Sequence, residues 1–257
     1  MSKFHFWLQA LKMSNILSSE QQLSEISNLL IGYLKFPFTG DIIPGSLMES
    51  VISSVRDGEV LNTYDFVDVI NKEDKVGWQV KSTKDSTPVT WKRAKIPNSP
   101  QLILESKESE KALQFLGDSI IKFCNDHAIQ SFETYDLDEI GFSRLIVHKN
   151  GALTYYEKIL CTKNSPKIFY ESDFEWKWSL PKKTKKKEQL SALHGIHKKS
   201  QKKWFAWHGL GENQLHFSGE KEWWPKDSKN NIKFAFPNER LSQHELMKLL
   251  SKVSSLT

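Results

Sequence analysis

The chain has 257 residues, of which 39% are apolar and 12% aromatic, and this composition suffices for a packed core. It contains no apolar run of about 18 residues that would span a membrane, and its net charge of +5 is compatible with a polyanionic partner without requiring one. Cys124 and Cys161 lie in neither CxxC nor CxxH spacing, which argues against a disulfide framework or a zinc ribbon and favours the cytoplasm. We expect no secretory signal, because His5, Gln9 and Lys12 interrupt the amino-terminal apolar segment and no small-residue cleavage site follows.

Helical spacing of apolar residues predicts two helices near the amino terminus. The first covers residues 18–35, where Ser18 and Gln21 form a capping box. The second covers residues 46–56 and ends at Gly58. Its apolar residues share one face, which places Glu49 on the opposite, polar face.

Two strands over residues 64–70 and 76–83, joined by the turn NKEDK, predict an antiparallel hairpin. The stretch STPVTWKRAK then predicts a helix, with Ser86 or Thr87 as N-cap and Pro88 in the first helical position. A longer amphipathic helix is expected over residues 108–127.

The second half of the chain has mostly strand patterns. They predict hairpins over residues 142–160 and 204–217, a strand over 173–180 that places Trp176 and Trp178 in the core, and a final helix over 241–253. We therefore expect an α/β protein whose carboxyl-terminal half is rich in antiparallel strands. The division lies between residues 1–135 and 136–257, or the two parts form one continuous domain over 1–257.

A group of oxygen-bearing side chains converges on the predicted hairpin. Gln79 and Lys81 share one face of the second strand, Asp65 and Asp68 lie on the first strand, and Glu49 projects from the preceding helix. Mg²⁺ needs only one or two carboxylates and further oxygen ligands, and a nearby ammonium can orient the attacking water in phosphodiester hydrolysis. Counting from the turn pairs Gln79 with Val67 or Asp68 and Lys81 with Asp65, so both aspartates are candidates, with Asp68 preferred.

At these residues the sequence resembles the PD-(D/E)xK nuclease superfamily, which includes most type II restriction endonucleases. The resemblance covers residues 45–95 and departs from the family pattern at two points: neither aspartate follows a proline, and Gln79 replaces the acid of the acid-x-Lys triplet, as in a Q-x-K variant. It implies a mixed central β-sheet flanked by helices and Mg²⁺ bound by Asp68, Asp65, Gln79 and Glu49. It also implies products with 5′-phosphate and 3′-hydroxyl ends and a partner methyltransferase in the same host.

Basic and polar residues outside this group are candidates for DNA contacts. Nine lysines but one acid occur between residues 182 and 203, which predicts a mobile arm that embraces DNA: Lys182, Lys183, Lys185, Lys186, Lys187, Lys198, Lys199, Lys202 and Lys203. Phosphate contacts are also expected from residues beside the hairpin: Ser82, Thr83, Lys84, Trp91, Lys92, Arg93 and Lys95. Base contacts are expected from Asn213, Gln214, His216, Lys226 and Arg240. For each set the alternative is an ordinary solvated surface.

Other chemistries have no sequence support. His194 and His197 have HxxH spacing without partner acids, which is weak support for zinc, and neither G-x-S-x-G nor a Gly-rich phosphate loop occurs. The sequence predicts a Mg²⁺-dependent, sequence-specific double-stranded DNA endonuclease that forms a homodimer. The rivals are a structure-specific repair or junction nuclease and a non-catalytic DNA-binding protein with a decayed site.

Overall fold

The computed structural model describes residues 16–40, 42–63, 65–85, 87–183, 188–223 and 230–255. Among these residues no helix is both long and apolar enough to cross a bilayer.

Two amino-terminal helices pack together, as the apolar spacing predicts: α1 (Glu20–Leu34) and α2 (Gly45–Val55). The capping box of α1 is formed by Ser19 and Gln22, one residue later than the predicted pair Ser18 and Gln21. Ser18 instead hydrogen-bonds the Glu157 carboxylate through both its backbone N–H and its hydroxyl.

A six-stranded mixed sheet, the large sheet, occupies the centre of the molecule in the order β1-β2-β3-β5-β6-β13. Its strands are β1 (Glu59–Val60), β2 (Val69–Asn71), β3 (Val76–Lys84), β5 (Glu139–Val147), β6 (Ala152–Thr162) and β13 (Asn231–Ala235). β3 and β5 run parallel and the other neighbours are antiparallel. The mixed α/β class is confirmed, as is the hairpin of β5 and β6.

The first strand of the predicted catalytic hairpin is much shorter than expected. Regular pairing begins only at Val69, while Tyr64 lies outside the described residues. Phe66 and Val67 are both buried, so the alternation that the prediction of a strand over 64–70 required is absent.

The segment STPVTWKRAK does not form a helix; the prediction was wrong. It contains β4 (Val89–Arg93), in which Val89 and Trp91 are buried and Thr90 is exposed. Because β4 obtains its backbone partners from β12, a strand much later in the chain, the local N-cap pattern is overridden by sheet pairing.

β4 belongs to a second, five-stranded antiparallel sheet with the order β4-β12-β11-β10-β7. The other strands are β7 (Phe174–Trp178), β10 (Leu193–His197), β11 (Lys202–Trp207) and β12 (Gln214–Phe217), and the predicted hairpin of β11 and β12 is present. Strands from both halves of the chain therefore pair in both sheets, across residue 135.

The large sheet is covered on both faces. Trp78 and Val80 of β3 pack with α1 and α2, whereas the opposite face packs on the second sheet and on α4 (Glu110–Tyr135). The predicted helix over 108–127 is confirmed and continues for two further turns, and the short α3 (Ser99–Glu105) precedes it. Trp176 is buried as predicted, and Trp178 packs against the same cluster.

The lysine-rich segment is not one mobile arm. It includes the short pair β8 (Lys182–Lys183) and β9 (Glu188–Gln189), all of β10, and the start of β11. Lys185, Lys186 and Lys187 lie outside the described residues. The chain ends with the four-residue α5 (Glu220–Trp223), β13 and the predicted helix α6 (Gln243–Val253), which a Ser242–Glu245 capping box begins.

Candidate active site

Asp68 and Lys81 form a partly buried ion pair directly before the first residue of β2. Lys81 Nζ donates to Asp68 Oδ2 at 3.0 Å, and the two side chains are only 19% and 21% exposed. The Val80 backbone N–H donates to the same oxygen at 2.7 Å. Within the described part of the chain no hydrogen bond reaches Asp68 Oδ1, which leaves one carboxylate oxygen available for a further ligand.

The position of Asp68 follows from how β2 begins. The Asp68 N–H donates to Trp78 O at 2.8 Å, so the backbone still reaches β3 one residue before regular pairing starts. The carboxylate accepts a hydrogen bond from the Val80 N–H. If β2 were longer, this N–H would bond to a backbone carbonyl of β2 instead. Asp68 therefore bonds to Trp78 and Val80, the residues on either side of Gln79 in β3, and Lys81 contacts Asp68 and not Asp65.

Glu49 approaches this pair from α2. It is half-buried on the helix face opposite the core residues of α2, as the periodicity predicted. Burial raises the pKa of the Glu49 carboxyl, the negative charge of Asp68 raises it further, and Lys81 opposes the shift. The two carboxylates and the ammonium are thus close enough to interact electrostatically.

Gln79 is the residue of this group that stands in place of an acid in the expected acid-x-Lys triplet. Its side chain is 1% exposed, its Nε2 makes a long 3.5 Å hydrogen bond to Trp91 O, and its Oε1 is buried without a partner among the described residues. Leaving such an oxygen unpaired costs about 1–3 kcal/mol. Because Gln79 and Lys81 are two residues apart on β3, their side chains leave the strand on the same face.

These side chains suit a hard cation. In the described ranges no group of three or more His, Cys, Asp and Glu side chains is placed to hold a metal. Mg²⁺ does not need such a group, since it binds through one or two carboxylates and keeps several waters. Glu49 and Asp68 Oδ1 supply carboxylate oxygens near Lys81, and the buried Gln79 Oε1 lies on the same strand as Lys81. A cation would offset the repulsion between the two carboxylates.

Asp65 has different surroundings. It is exposed, and Tyr135 at the end of α4 donates a hydrogen bond to its carboxylate. This hydrogen bond and a second from Thr63 hold the pKa of Asp65 below its ordinary value. The structure thus groups Asp68 with Lys81 and Glu49, and Asp65 with Tyr135.

A β-bulge directs Lys92 toward both aspartates. Leu215 and His216 of β12 pair with Lys92 and Thr90, which leaves Trp91 unpaired and shifts the register. Lys92 is half-buried, and its ammonium interacts electrostatically with Asp65, Asp68 and Lys81. Burial lowers its pKa, and it has no ion-pair partner within the described residues. The sequence placed Lys92 near the site but gave the wrong element, and the inward orientation depends on the bulge.

Sequence reasoning also missed Arg144. Arg144 of β5 lies opposite Lys81 of β3 in the register of the parallel strands, and it is only 1% exposed. Its guanidinium donates to Leu145 O at 2.8 Å and to Thr83 Oγ1 at 2.5 Å. The sequence signal for this buried cation is a charged residue, Arg144, within the mostly apolar sequence of β5.

The other predicted DNA-contacting residues are spread over the molecule. Those on exposed or partly exposed surface of the strands and turns are Ser82, Thr83, Lys84, Arg93, Lys95, Lys183, Lys198, Lys199, Lys202, Lys203, Asn213, Gln214 and His216. Lys202 is paired with Glu222 at 2.6 Å, and Arg240 donates to Thr39 O at 2.6 Å. Lys226 lies outside the described residues, and so does the side chain of Lys182.

Comparisons of the chain with protein-family models, with curated proteins and with solved structures found no match.

Proposed function

We propose that this protein is a Mg²⁺-dependent endonuclease of the type II restriction class, which cuts double-stranded DNA at a specific sequence and leaves 5′-phosphate and 3′-hydroxyl ends. The observation that carries the proposal is the Asp68–Lys81 pair at 3.0 Å, with Glu49 within electrostatic reach and the unpaired Gln79 Oε1 on the same strand as Lys81. Carboxylates, a neutral oxygen and an ammonium are the groups that metal-assisted phosphodiester hydrolysis requires.

In this proposal Asp68, Glu49 and Gln79 hold the cation. When bound, Mg²⁺ would lower the pKa of a coordinated water and offset negative charge at the phosphate. Asp68 is suited to its role because two donors fix Oδ2 and leave Oδ1 accessible. Gln79 contributes no charge, so Glu49 supplies the second negative charge of the site.

Lys81 orients the attacking water and contacts the phosphate. Its stem lies in the partly buried end of β3, and its ion pair with Asp68 restricts the ammonium to one region. Lys92 supplies a second ammonium, which interacts electrostatically with Asp68 and has no ion-pair partner among the described residues, so it could pair with an incoming phosphate. Asp65 stays a second candidate ligand, and the Lys92 ammonium interacts electrostatically with both aspartates.

Digestion of phage DNA by the purified protein tests the proposal. With Mg²⁺ we expect discrete fragments, and with a chelator we expect intact DNA. Smeared products would contradict sequence-specific cutting, and cleavage confined to branched or gapped substrates would indicate a structure-specific nuclease.

One observation favours a second candidate, a non-catalytic DNA-binding protein. Gln79 stands where the resembled family has an acid, and this lowers the negative charge available to a metal. Duplex binding without cleavage at any concentration of Mg²⁺ or Mn²⁺ would support this candidate.

The biological setting is proposed from the same resemblance. A cut through both strands of a palindrome is most simply made by a homodimer with two-fold symmetry. A methyltransferase that modifies the same sequence would protect the host DNA, and both enzymes would act in the cytoplasm.

A further inference from the structure

A cavity of about 440 Å³ lies on the outward face of the second sheet. His194, Ala206 and His216 form one row across β10, β11 and β12, and their neighbours Leu193, Phe205 and Leu215 are buried on the opposite, inward face. Because Ala206 is small, it leaves space between the two histidines. His208, Lys203, Ser179 and Gln189 also line the cavity, and so do Leu180 and Leu190.

Within the described residues, the imidazoles that line this cavity make no hydrogen bond. His216 Nδ1 is buried and has no hydrogen-bond partner in the described part of the chain. The His208 ring stands edge-on to the His216 ring, with 5.1 Å between the centroids. A buried polar atom without a partner is unfavourable, and a ligand that accepts hydrogen bonds would relieve this cost.

Most of the charged side chains that act on these histidines are lysines. Burial lowers the pKa values of all three histidines, to about 4 for His194. Lys203 on β11 lowers all three further, and Lys177 on β7 adds to the effect at His194. Glu212, in the turn before β12, opposes the shift at His208. The described residues that line the cavity include no Asp or Glu.

This electrostatic environment decides between two kinds of ligand. A divalent metal would be repelled by Lys203, and the described histidines form no group placed to hold a metal. A tetrahedral oxyanion would receive hydrogen bonds from the imidazoles and an ion pair from Lys203, and charge-assisted hydrogen bonds of this kind are the stronger ones.

We propose that the cavity lined by His194, His208, His216 and Lys203 binds a phosphate group. The phosphate belongs either to the DNA backbone, in which case the inference rests on the proposed function, or to a small phosphorylated molecule. Binding takes up protons, because an anion beside an imidazole favours its charged form. Affinity therefore increases as the pH falls from 8 to 6, and each proton taken up changes it by up to about tenfold per pH unit.

NMR spectra of the histidine imidazole resonances, recorded on the full chain without Mg²⁺, test this site independently of cleavage. Sulfate is the small-anion probe because it does not titrate between pH 6 and 8, and a 30-base-pair duplex is the backbone probe. We expect shifts of the His194, His208 and His216 resonances, with those of exposed His244 on α6 unchanged. Sulfate affinity should rise roughly three- to tenfold from pH 8 to pH 6.

The Lys203→Ala variant should bind sulfate about tenfold more weakly, whereas Lys111→Ala, which removes an exposed lysine of α4, should bind as the wild type does. If Lys203→Ala unfolds, His216→Asn provides the same comparison. Shifts of the histidine resonances on addition of the duplex would identify the DNA backbone as the source of the phosphate. Shifts with sulfate but not with the duplex would identify a small anion as the ligand. No histidine shift with either probe would overturn the proposal, even if the protein cleaves DNA.

Discussion

The carboxylate of Asp68 accepts the Lys81 ammonium at 3.0 Å and the Val80 N–H at 2.7 Å through the same oxygen, Oδ2. One atom thus has a structural and an electrostatic role, while Oδ1 is left for a ligand. Asp68 has this geometry and Asp65 does not, so substitutions at the two positions should differ in effect.

Asp68→Asn should lower cleavage by at least about a hundredfold while Asp65→Asn retains most of it. The asparagine keeps an oxygen for the Val80 N–H, so its unfolding free energy should stay within about 1 kcal/mol of the wild type. Asp68→Ala leaves that N–H unpaired and should cost about 1–3 kcal/mol. Single-turnover cleavage and urea unfolding measure the two effects. Equal losses of cleavage in both asparagine variants would assign both aspartates to the site.

Gln79→Leu should separate stability from activity. It removes a buried oxygen without a partner, so stability should be unchanged or slightly higher, whereas cleavage should be lost because a metal ligand is gone. Gln79→Glu adds a carboxylate and should lower the Mg²⁺ concentration needed for half-maximal cleavage. A fully active Gln79→Leu enzyme would exclude this side chain as a ligand.

Glu49 should make Mg²⁺ binding depend on pH. Its pKa lies above the ordinary value of 4.5, so at a pH between the unfolded and the native pKa the native state holds a proton that the unfolded chain has already released. Without metal, the contribution of Glu49 to stability therefore falls as the pH rises from the unfolded value through the native one, and Glu49→Gln should stabilise the protein above that range.

Thermal unfolding from pH 5 to pH 8, with and without Mg²⁺, measures this coupling. The Mg²⁺-induced rise in Tm should grow with pH in the wild type and stay small in Glu49→Gln. A rise of equal size in both proteins would place the metal elsewhere.

Two glycines in helices provide a test of the packing of α4 on the second sheet. A Cβ at Gly117 would lie 2.1 Å from Trp176 Cγ, whereas a Cβ at Gly32 in α1 would meet no atom within 4 Å. Gly117→Ala should therefore destabilise by roughly 1–3 kcal/mol despite its better helix propensity. Gly32→Ala should stabilise by about 0.5–1 kcal/mol. Denaturant unfolding compares them, and stabilisation by Gly117→Ala would contradict the packing described.

The parts of the site that local periodicity determines could be predicted from the sequence. Alternation along β3 places Gln79 and Lys81 on one face, and helical spacing places Glu49 on the polar face of α2. The choice between the aspartates depends on where β2 begins. Two consecutive buried residues, Phe66 and Val67, remove the alternation from which that register could be counted.

Long-range pairing accounts for the principal error. Pro88 after Ser and Thr has the local chemistry of a helix start, yet Val89 and Trp91 are buried and the backbone pairs with β12. The inward direction of Lys92 follows from a bulge within that pairing. Neither the partner strand nor the bulge can be inferred from the residues around Pro88 alone.

The most direct test of the proposed hydrolytic centre is cleavage and binding of one duplex by Lys81→Ala, measured beside the matched surface control Lys111→Ala. The proposal predicts that Lys81→Ala binds the duplex in Ca²⁺ nearly as the wild type does but cleaves it at least about a hundredfold more slowly in Mg²⁺, while Lys111→Ala is unchanged in both. A Lys81→Ala protein that cuts at the wild-type rate would contradict it.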